Sequence, residues 1–376
     1  MPINVLFLHS GDNWIRGSEA ALLTLLRGLD RDKIVPFLLC DHAVLGDLAQ
    51  KDGIGTIVYP VPQIMIDSDT VRLQFVQWVK TAYKVLSLVR KHDIRLLYCN
   101  GGRPSQVAYY VAKIAKIPIV CHVHCSYNRR YILLYRFHRA SKVIFASRAI
   151  QTSIRGKQSF LAPSEVIYYG VDEERFRPVP ARITRWREEL LIPPDCVVFG
   201  QVSSLITGKG VDTVLRALQI VRREHPKVRL VLVGDGPQHE EYAALVDELA
   251  LKDIVHFVGY QPNPLPYYQH VFDVNVLASR REAFGICLAE GAACGLPNLG
   301  ANLDGIPEVV LDRQTGLLFE PGNHQNLAEK MLELARNPSL QKDLGEAARR
   351  SVEERFSRAR YLRAVERAIL EQVGGK

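Results

Sequence analysis

The chain has 376 residues, 47% of them apolar, more than one core usually holds and enough to fill two. Its longest apolar runs, at 5–8 and 228–233, are strand-length and far below the ~20 residues that span a bilayer, so no membrane helix is expected. The formal charge of +8 is uneven: residues 1–195 carry 27 Lys and Arg against 17 Asp and Glu, and residues 196–376 carry 21 against 23. A basic first half points to acidic partners, whereas the lack of basic-aromatic interleaving, zinc fingers or a recognition helix points away from nucleic acid.

In chain order, Met1-Pro2 passes directly into a strand at 3–9 without the features of a secretory leader, which reads as a cytoplasmic protein. A loop holding Gly11 and Gly17 follows, then a helix from about 18 to 29 and strands at 35–40, 55–59, 96–100, 119–124, 142–146 and 165–168. Two segments, 75–90 and 129–139, mix cations with large apolar residues at helical spacing, which suits a solvated basic face or an interfacial surface against anionic lipid. Proline punctuates 176–180. A second series then begins: strands at 196–202, 228–233, 254–258, 273–277, 297–300 and 316–319, with helices at 211–224, 238–249, 284–294, 305–311, 324–336 and 339–355. Alternation of this kind predicts an α/β protein of two Rossmann-like doubly wound domains facing across a cleft, residues 1–177 and 178–357. A last helix, about 358–376, follows a completed domain and is expected to cross back to the first, with Glu366 and Glu371 meeting its basic surface.

Seven scattered cysteines, several inside apolar runs, read as reduced thiols. The dense run Cys121-His122-Val123-His124-Cys125 does not read as a zinc site, because strand alternation puts the cysteines on one face and the histidines on the other. No metal and no cofactor are expected.

The most informative stretch is REAFGICLAEGAACGLP, residues 281–297. Glu282 precedes a Phe284-Gly285 turn that opens a helix, and Glu290 lies eight residues on, a helical rise of about 12 Å that matches the span from a donor's sugar to its ribose across a diphosphate. Between them, the N–H groups of Phe284, Gly285 and Ile286 suit a phosphate, and Gly285 permits close approach. In Gly208-Lys209-Gly210 a lysine sits in a glycine turn between strand and helix, where an ammonium can meet a diphosphate.

Residues 281–297 closely resemble the E-x7-E signature of glycosyltransferase family 4, a family of GT-B fold. The resemblance continues through Gly305-Ile306-Pro307-Glu308 and Thr315-Gly316-Leu317-Leu318-Phe319, and backwards through Val231 to Pro237, Phe257-Val258-Gly259-Tyr260 and Gly170-Val171-Asp172, where Tyr169 replaces the usual Asn. Lys209 matches the lysine of the family's G-R-L-x-x-x-K-G pattern, but Ser204 stands at the arginine position. Arg280, Arg281 and Arg16 are the candidates to replace that cation. In the first half, Arg16-Gly17-Ser18-Glu19 resembles the family's G-G-[AS]-E loop, and 117–124 its segment ending in a histidine near the donor sugar, which favours His124 over His122.

The resemblance implies a retaining, metal-independent transfer of a sugar from a nucleotide-sugar donor to a glycan, lipid-linked or small-molecule acceptor, in cell-envelope polysaccharide or glycoconjugate synthesis. It implies Lys209 and residues 284–286 at the diphosphate, Glu290 at the ribose, Glu282 at the sugar hydroxyls and His124 near the reacting carbon, with Gly17, Ser204, Gly259, Tyr260 and Ala283 lining the donor. Arg129, Arg130, Arg136 and Arg139 are candidates for the acceptor or for peripheral contact at the inner face of the membrane. Two rival readings stand beside this: a catalytically weak GT-B subunit that binds nucleotide or glycan, which Ser204 motivates, and a sugar-nucleotide epimerase.

Overall fold

The structure, a computed structural model, describes residues 1–62, 64–66 and 71–374. It divides into two compact units, Met1–Gly170 with Ala359–Lys376, and Val171–Arg358. The proline-punctuated segment lies with the second unit: Val171 bridges to Ser357, and the Arg349 guanidinium donates to the carbonyls of Glu173 and Phe176.

The first unit is built on a seven-stranded parallel sheet. In spatial order its strands are Gly55–Val58, Ile34–Cys40, Ile3–His9, Ile94–Asn100, Ile119–Val123, Lys142–Phe145 and Ser164–Val166. Its runs of Val, Ile and Leu are buried on both faces, because crossover helices such as Gly17–Gly28 and Gly102–Ala115 cover them. A small antiparallel pair, Ile64–Ile66 and Val71–Leu73, lies outside this sheet and has no counterpart among the expected strands. The strand order reverses between Ile3–His9 and Ile94–Asn100, and register there sets His9 beside Asn100.

The second unit repeats the plan with six strands in the order Val255–Phe257, Val228–Val233, Val197–Val202, Val274–Leu277, Asn298–Ala301 and Gly316–Phe319, all parallel. Its order reverses between Val197–Val202 and Val274–Leu277. Crevices beyond the carboxyl ends of strands at such reversals are where open α/β sheets bind ligands.

Three local expectations are corrected. The basic helix expected over 129–139 stops at Tyr135: Arg136 takes a left-handed conformation, φ 62°, and a short 3-10 turn Phe137–Arg139 follows. The break is held from inside, since Ser105 Oγ donates to the Tyr135 carbonyl and the His138 ring meets the Ile132 carbonyl at 3.0 Å. The helix expected from 284 begins at Ile286, because Gly285 at φ 91° cannot continue it backwards. The closing helix Arg358–Gly374 belongs with the first unit, where Glu366 lies near enough to Lys33 to favour its charge, but among the described residues neither Glu366 nor Glu371 forms an ion pair with that unit's basic surface. Glu366 instead accepts the Asp30 backbone N–H at 2.8 Å, and Glu371 pairs with Arg367 of its own helix. Gly28 leaves room for Leu362, which a side chain there would strike.

Candidate functional site

In the second unit, the residues singled out in the sequence gather at the carboxyl ends of the strands. Lys209 ends a 3-10 turn, Thr207–Lys209, and Gly210 follows at φ 64°, where a Cβ would overlap the Ala278 carbonyl. That closeness brings the Lys209 ammonium to Glu282, 2.6 Å from Oε2, where Ser279 Oγ also donates at 3.2 Å. The pair is partly shielded, with the two side chains 25% and 15% exposed, so its mutual attraction is stronger than a surface pair's. The Glu282 loop is clamped from below: its N–H donates to Asp304, and the Gly305 N–H donates to its carbonyl. Gly305 has no side chain to spare, since a Cβ would overlap the Ala283 carbonyl. Ala283 is half-buried, and Phe284 is buried edge-on against Phe356 at 5.1 Å. Beyond Gly285, Ile286 opens the helix Ile286–Ala293.

The spacing argument from Glu282 to Glu290 changes accordingly. The residues before Ile286 are loop, so the helical rise runs only from Ile286 to Glu290, about 6 Å. Burial pushes the Glu290 carboxyl up to about 7, against the pull of the Tyr268 hydroxyl, which donates to it at 3.1 Å, and of the Arg175 charge. Tyr268 also donates to the Cys287 carbonyl and was not singled out in the sequence, where one aromatic among apolar residues carries no signal. Ser204 lies half-buried in a loop over which Gly234 and Gly236 pack so closely that a Cβ on either would overlap the backbone of Ser203 or Leu205. Gly259 turns at φ 70°, and Tyr260 beyond it is 56% exposed. Arg280 does not stand in for the missing arginine: its guanidinium holds Asp212 through two hydrogen bonds, of 3.0 and 2.6 Å, and donates to the Thr207 carbonyl. Arg16 pairs with Asp12 at 3.0 Å, and Arg281 is exposed.

In the first unit, His124 follows the strand Ile119–Val123, and Gly17 is the exposed first residue of its helix. The His124 ring is held on both sides, by Asn100 Oδ1 at 2.6 Å and by the Tyr169 hydroxyl, whose ring stacks on it at 5.7 Å. Tyr169, the departure noted in the sequence, is thus built into the histidine's support. Asn100 in turn meets His9 Nδ1 at 2.9 Å, and His9 Nε2 meets Glu19 at 3.0 Å. Burial holds His124 well below the usual histidine range, with the neighbouring His122 and His9 adding to it, and burial alone takes His122 to about 3. Burial would raise the Glu19 carboxyl, but the hydrogen bonds it accepts, from His9 first and then from backbone N–H and Ser18, outweigh it and hold it at about 2.

Among the described residues His9, Glu19 and His42 lie close enough to share an ion. Hydrogens rather than lone pairs point inward, however. His42 Nδ1 accepts the Leu45 N–H, so its proton sits on Nε2, and His9 turns Nε2 to the Glu19 carboxylate. None of the seven cysteines is in a disulfide.

The four arginines differ in exposure and lie on both sides of the helix break. Arg129, Arg130 and Arg139 are exposed and Arg136 half-buried beyond the helix break. Arg129 lines an open depression with Arg155 and Lys157. The helix Phe75–Lys91 turns Thr81, Val85, Leu88 and Val89 inward and leaves Phe75, Val76, Val79 and Tyr83 exposed, so its outer face is apolar as well as basic. Among the described residues no helix is long and apolar enough to cross a membrane.

Comparison with known proteins bears on both halves. Residues 15–175 match the model of the family described as Glycosyltransferase Family 4, and residues 182–351 that of Glycosyl transferases group 1. The chain is 31% identical over 263 residues to the GDP-mannose-dependent alpha-(1-6)-phosphatidylinositol monomannoside mannosyltransferase of Mycobacterium tuberculosis, covering 66% of this chain and 68% of that one. It is 27% identical over 289 residues to the N-acetyl-alpha-D-glucosaminyl L-malate synthase of Bacillus anthracis, covering 73% of this chain and 74% of that one. In fold it resembles HepE of Anabaena, solved in complex with UDP-glucose, with a TM-score of 0.84 and 23% identity over 98% of this chain and 100% of that one. A glycosyltransferase from Rickettsia africae superposes with a TM-score of 0.85 and 20% identity over 100% of both chains.

Proposed function

The chain belongs to glycosyltransferase family 4, and from that premise we propose that its second unit binds a nucleotide-sugar donor between Lys209, Glu282 and Glu290. The epimerase reading is set aside by the family. The observation that carries the proposal is the Lys209–Glu282 pair held beside the left-handed Gly285 and the helix start, at the reversal of the second sheet. A diphosphate arriving there takes the Lys209 ammonium, and a sugar hydroxyl takes the carboxylate that the lysine leaves. Glu290, about one turn into the helix from the diphosphate end, accepts from the ribose hydroxyls. Its raised pKa means that nucleotide binding draws it into the ionised form. Ser204, Gly259, Tyr260 and the backbone of 283–286 complete the donor lining.

The test is isothermal titration of UDP, GDP and ADP into the wild type and into Glu290→Ala. Losing a charged hydrogen bond costs about 1–3 kcal/mol, so affinity for whichever nucleotide binds should fall roughly 5- to 150-fold. Unchanged affinity in a folded variant sinks the placement.

Transfer with retention of configuration and without a metal is proposed from the same family pattern, with Lys209 in place of a metal at the diphosphate. The product's anomeric coupling by NMR, with and without EDTA, checks both. A second reading, a catalytically weak binding subunit, is favoured by one observation: Ser204 has no charge and Arg280 is committed to Asp212. Nucleotide binding without turnover on any donor would support it.

For the acceptor we propose an anionic or membrane-presented molecule, in cell-envelope polysaccharide or glycoconjugate synthesis, met by the first unit at the cytoplasmic face. Between Asp93 and Glu165 there is no acidic residue, while twelve Lys and Arg are present. The relatives named above carry malate and phosphatidylinositol in their names, both anionic.

A further inference from the structure

The polar side chains at the strand ends of the first unit form one continuous hydrogen-bonded chain whose two ends differ in kind. Glu19, ionised, can only accept. Its Oε2 takes the Arg16 N–H and the Ser18 hydroxyl, both at 3.0 Å, leaving Oε1 for His9 Nε2 at 3.0 Å. His9 therefore carries its proton on Nε2 and offers a lone pair at Nδ1, to which Asn100 Nδ2 donates at 2.9 Å. The same amide nitrogen also reaches the Ser18 carbonyl, a longer contact of 3.3 Å that agrees with the orientation His9 imposes. Asn100 Oδ1 is thus turned to His124 Nε2, 2.6 Å away, and can only accept. His124 must carry its proton on Nε2, and its Nδ1 lone pair receives the Tyr169 hydroxyl.

We propose that Glu19 sets the tautomer and ring orientation of His124 through His9 and Asn100, which makes Glu19, His9 and Asn100 positioning residues for His124. Each link is enforced by the one before it, because a donor facing a donor, or two facing lone pairs, leaves buried polar atoms unpaired. Both His124 nitrogens are consumed inside the unit. It follows that His124 exchanges no proton with a substrate and acts as an oriented, neutral group. That consequence for catalysis rests on the reading of His124 as a contact of the donor sugar, whereas the relay itself does not.

The relay makes an unusual demand on an isosteric variant. In Glu19→Gln the amide oxygen stays with the Arg16 N–H and the Ser18 hydroxyl, so its NH2 faces His9. His9 must then turn a lone pair to it and move its proton to Nδ1, Asn100 must flip its amide and give up its longer contact to the Ser18 carbonyl, and His124 must move its proton to Nδ1 toward Tyr169. The experiment is a long-range proton–nitrogen correlation on the full chain labelled with 15N-histidine, without donor, the His124 signals being identified by their loss in His124→Gln. In the wild type His124 should show a protonated Nε2, and in Glu19→Gln the two nitrogens should exchange roles. A protonated Nδ1 in the wild type, or an unchanged His124 in folded Glu19→Gln, overturns the proposal. Should Glu19→Gln not fold, Tyr169→Phe decides: the relay requires His124 to remain protonated on Nε2, and a reversal there would place control at the tyrosine end instead. Because no nucleotide is present, failure of the donor placement in the Glu290→Ala titration leaves this test standing.

Discussion

The two units share one architecture, a parallel sheet whose strand order reverses beside its first strand, yet they finish their strand ends in opposite electrical terms. In the first unit Glu19, two rings and an amide satisfy one another in a single chain, and beside them Asp41 takes the Ser10 hydroxyl and the Gly11 N–H while Arg103 donates to Ser10. In the second the ends carry an ion pair whose partners are close but not enclosed, and a glutamate whose burial disfavours its charge. A sheet edge of the first kind holds a shape. One of the second kind is where the placement proposed above puts a ligand. On the donor placement proposed above, the same architecture serves as a scaffold in one unit and as a receptor in the other, and the side chains at the strand ends decide which.

The strongest way to break the comparison is to loosen the receptor alone. Gly210→Ala forces a left-handed alanine, about 1–2 kcal/mol, and drives its methyl into the Ala278 carbonyl, an overpacking cost of about 1–3 kcal/mol. Protection of second-unit amides in native-state hydrogen exchange should fall by about 2–5 kcal/mol while the first unit keeps its own. An unaltered second unit would show that the Lys209 turn is not held by this contact.

Acid should separate the units in opposite directions. His122 is held at about 3, below the usual 6.5, so the folded first unit binds fewer protons than its unfolded chain. That stability is complete above 6.5 and declines as pH falls toward 3, with Glu19 adding a further loss between 4.5 and 2. Glu290 is raised from 4.5 to about 7, so the folded second unit binds more protons, and its contribution is complete below 4.5 and declines as pH rises to 7. On going from pH 7 to 5, His122 should cost the first unit about 2 kcal/mol, with His124, His42 and His138 adding to the loss. Glu290 should strengthen the second by about 2 kcal/mol, less what His256 and His270, both lowered by burial, take back. Hydrogen exchange corrected for intrinsic rates reads both at once, and parallel shifts in the two units would contradict the assignment.

The smallest effect sharpens the contrast in surface. Each cation near an anionic bilayer is worth about 1 kcal/mol, and the first unit adds the exposed Phe75, Val79 and Tyr83 to its basic helices. Co-sedimentation with phosphatidylserine-containing vesicles should exceed that with neutral ones, fall with salt, and fall further when these three are changed to Ser. Changing Arg129, Arg130, Arg136 and Arg139 to Ser should weaken it less, since Arg136 lies beyond the break in the helix that was expected to align them. Equal binding to both lipids would leave a freely diffusing anionic acceptor as the better reading.

What the sequence determined by itself was everything carried by short-range pattern. Apolar runs of strand length, helix-period segments between them and glycine turns specify two parallel-sheet units, because period and turn chemistry act over a few residues. Lys209, Glu282, Gly285 and Glu290 were legible for the same reason, each lying in an ordered motif at a strand end. The tertiary structure decided what those residues meet. Lys209 and Glu282 are 73 positions apart and His9 and Asn100 are 91, so their pairing depends on strand order and register, which no local pattern encodes. His9 and Asn100 are also ordinary residues in isolation, each simply the last of its strand. The helix break at Arg136 belongs to this second class: the segment alone favours a continuous helix, and contacts with Ser105 and His138 end it. Likewise the proton on His124 is placed by Glu19, 105 positions earlier, because in a buried chain of hydrogen bonds each donor dictates the next acceptor.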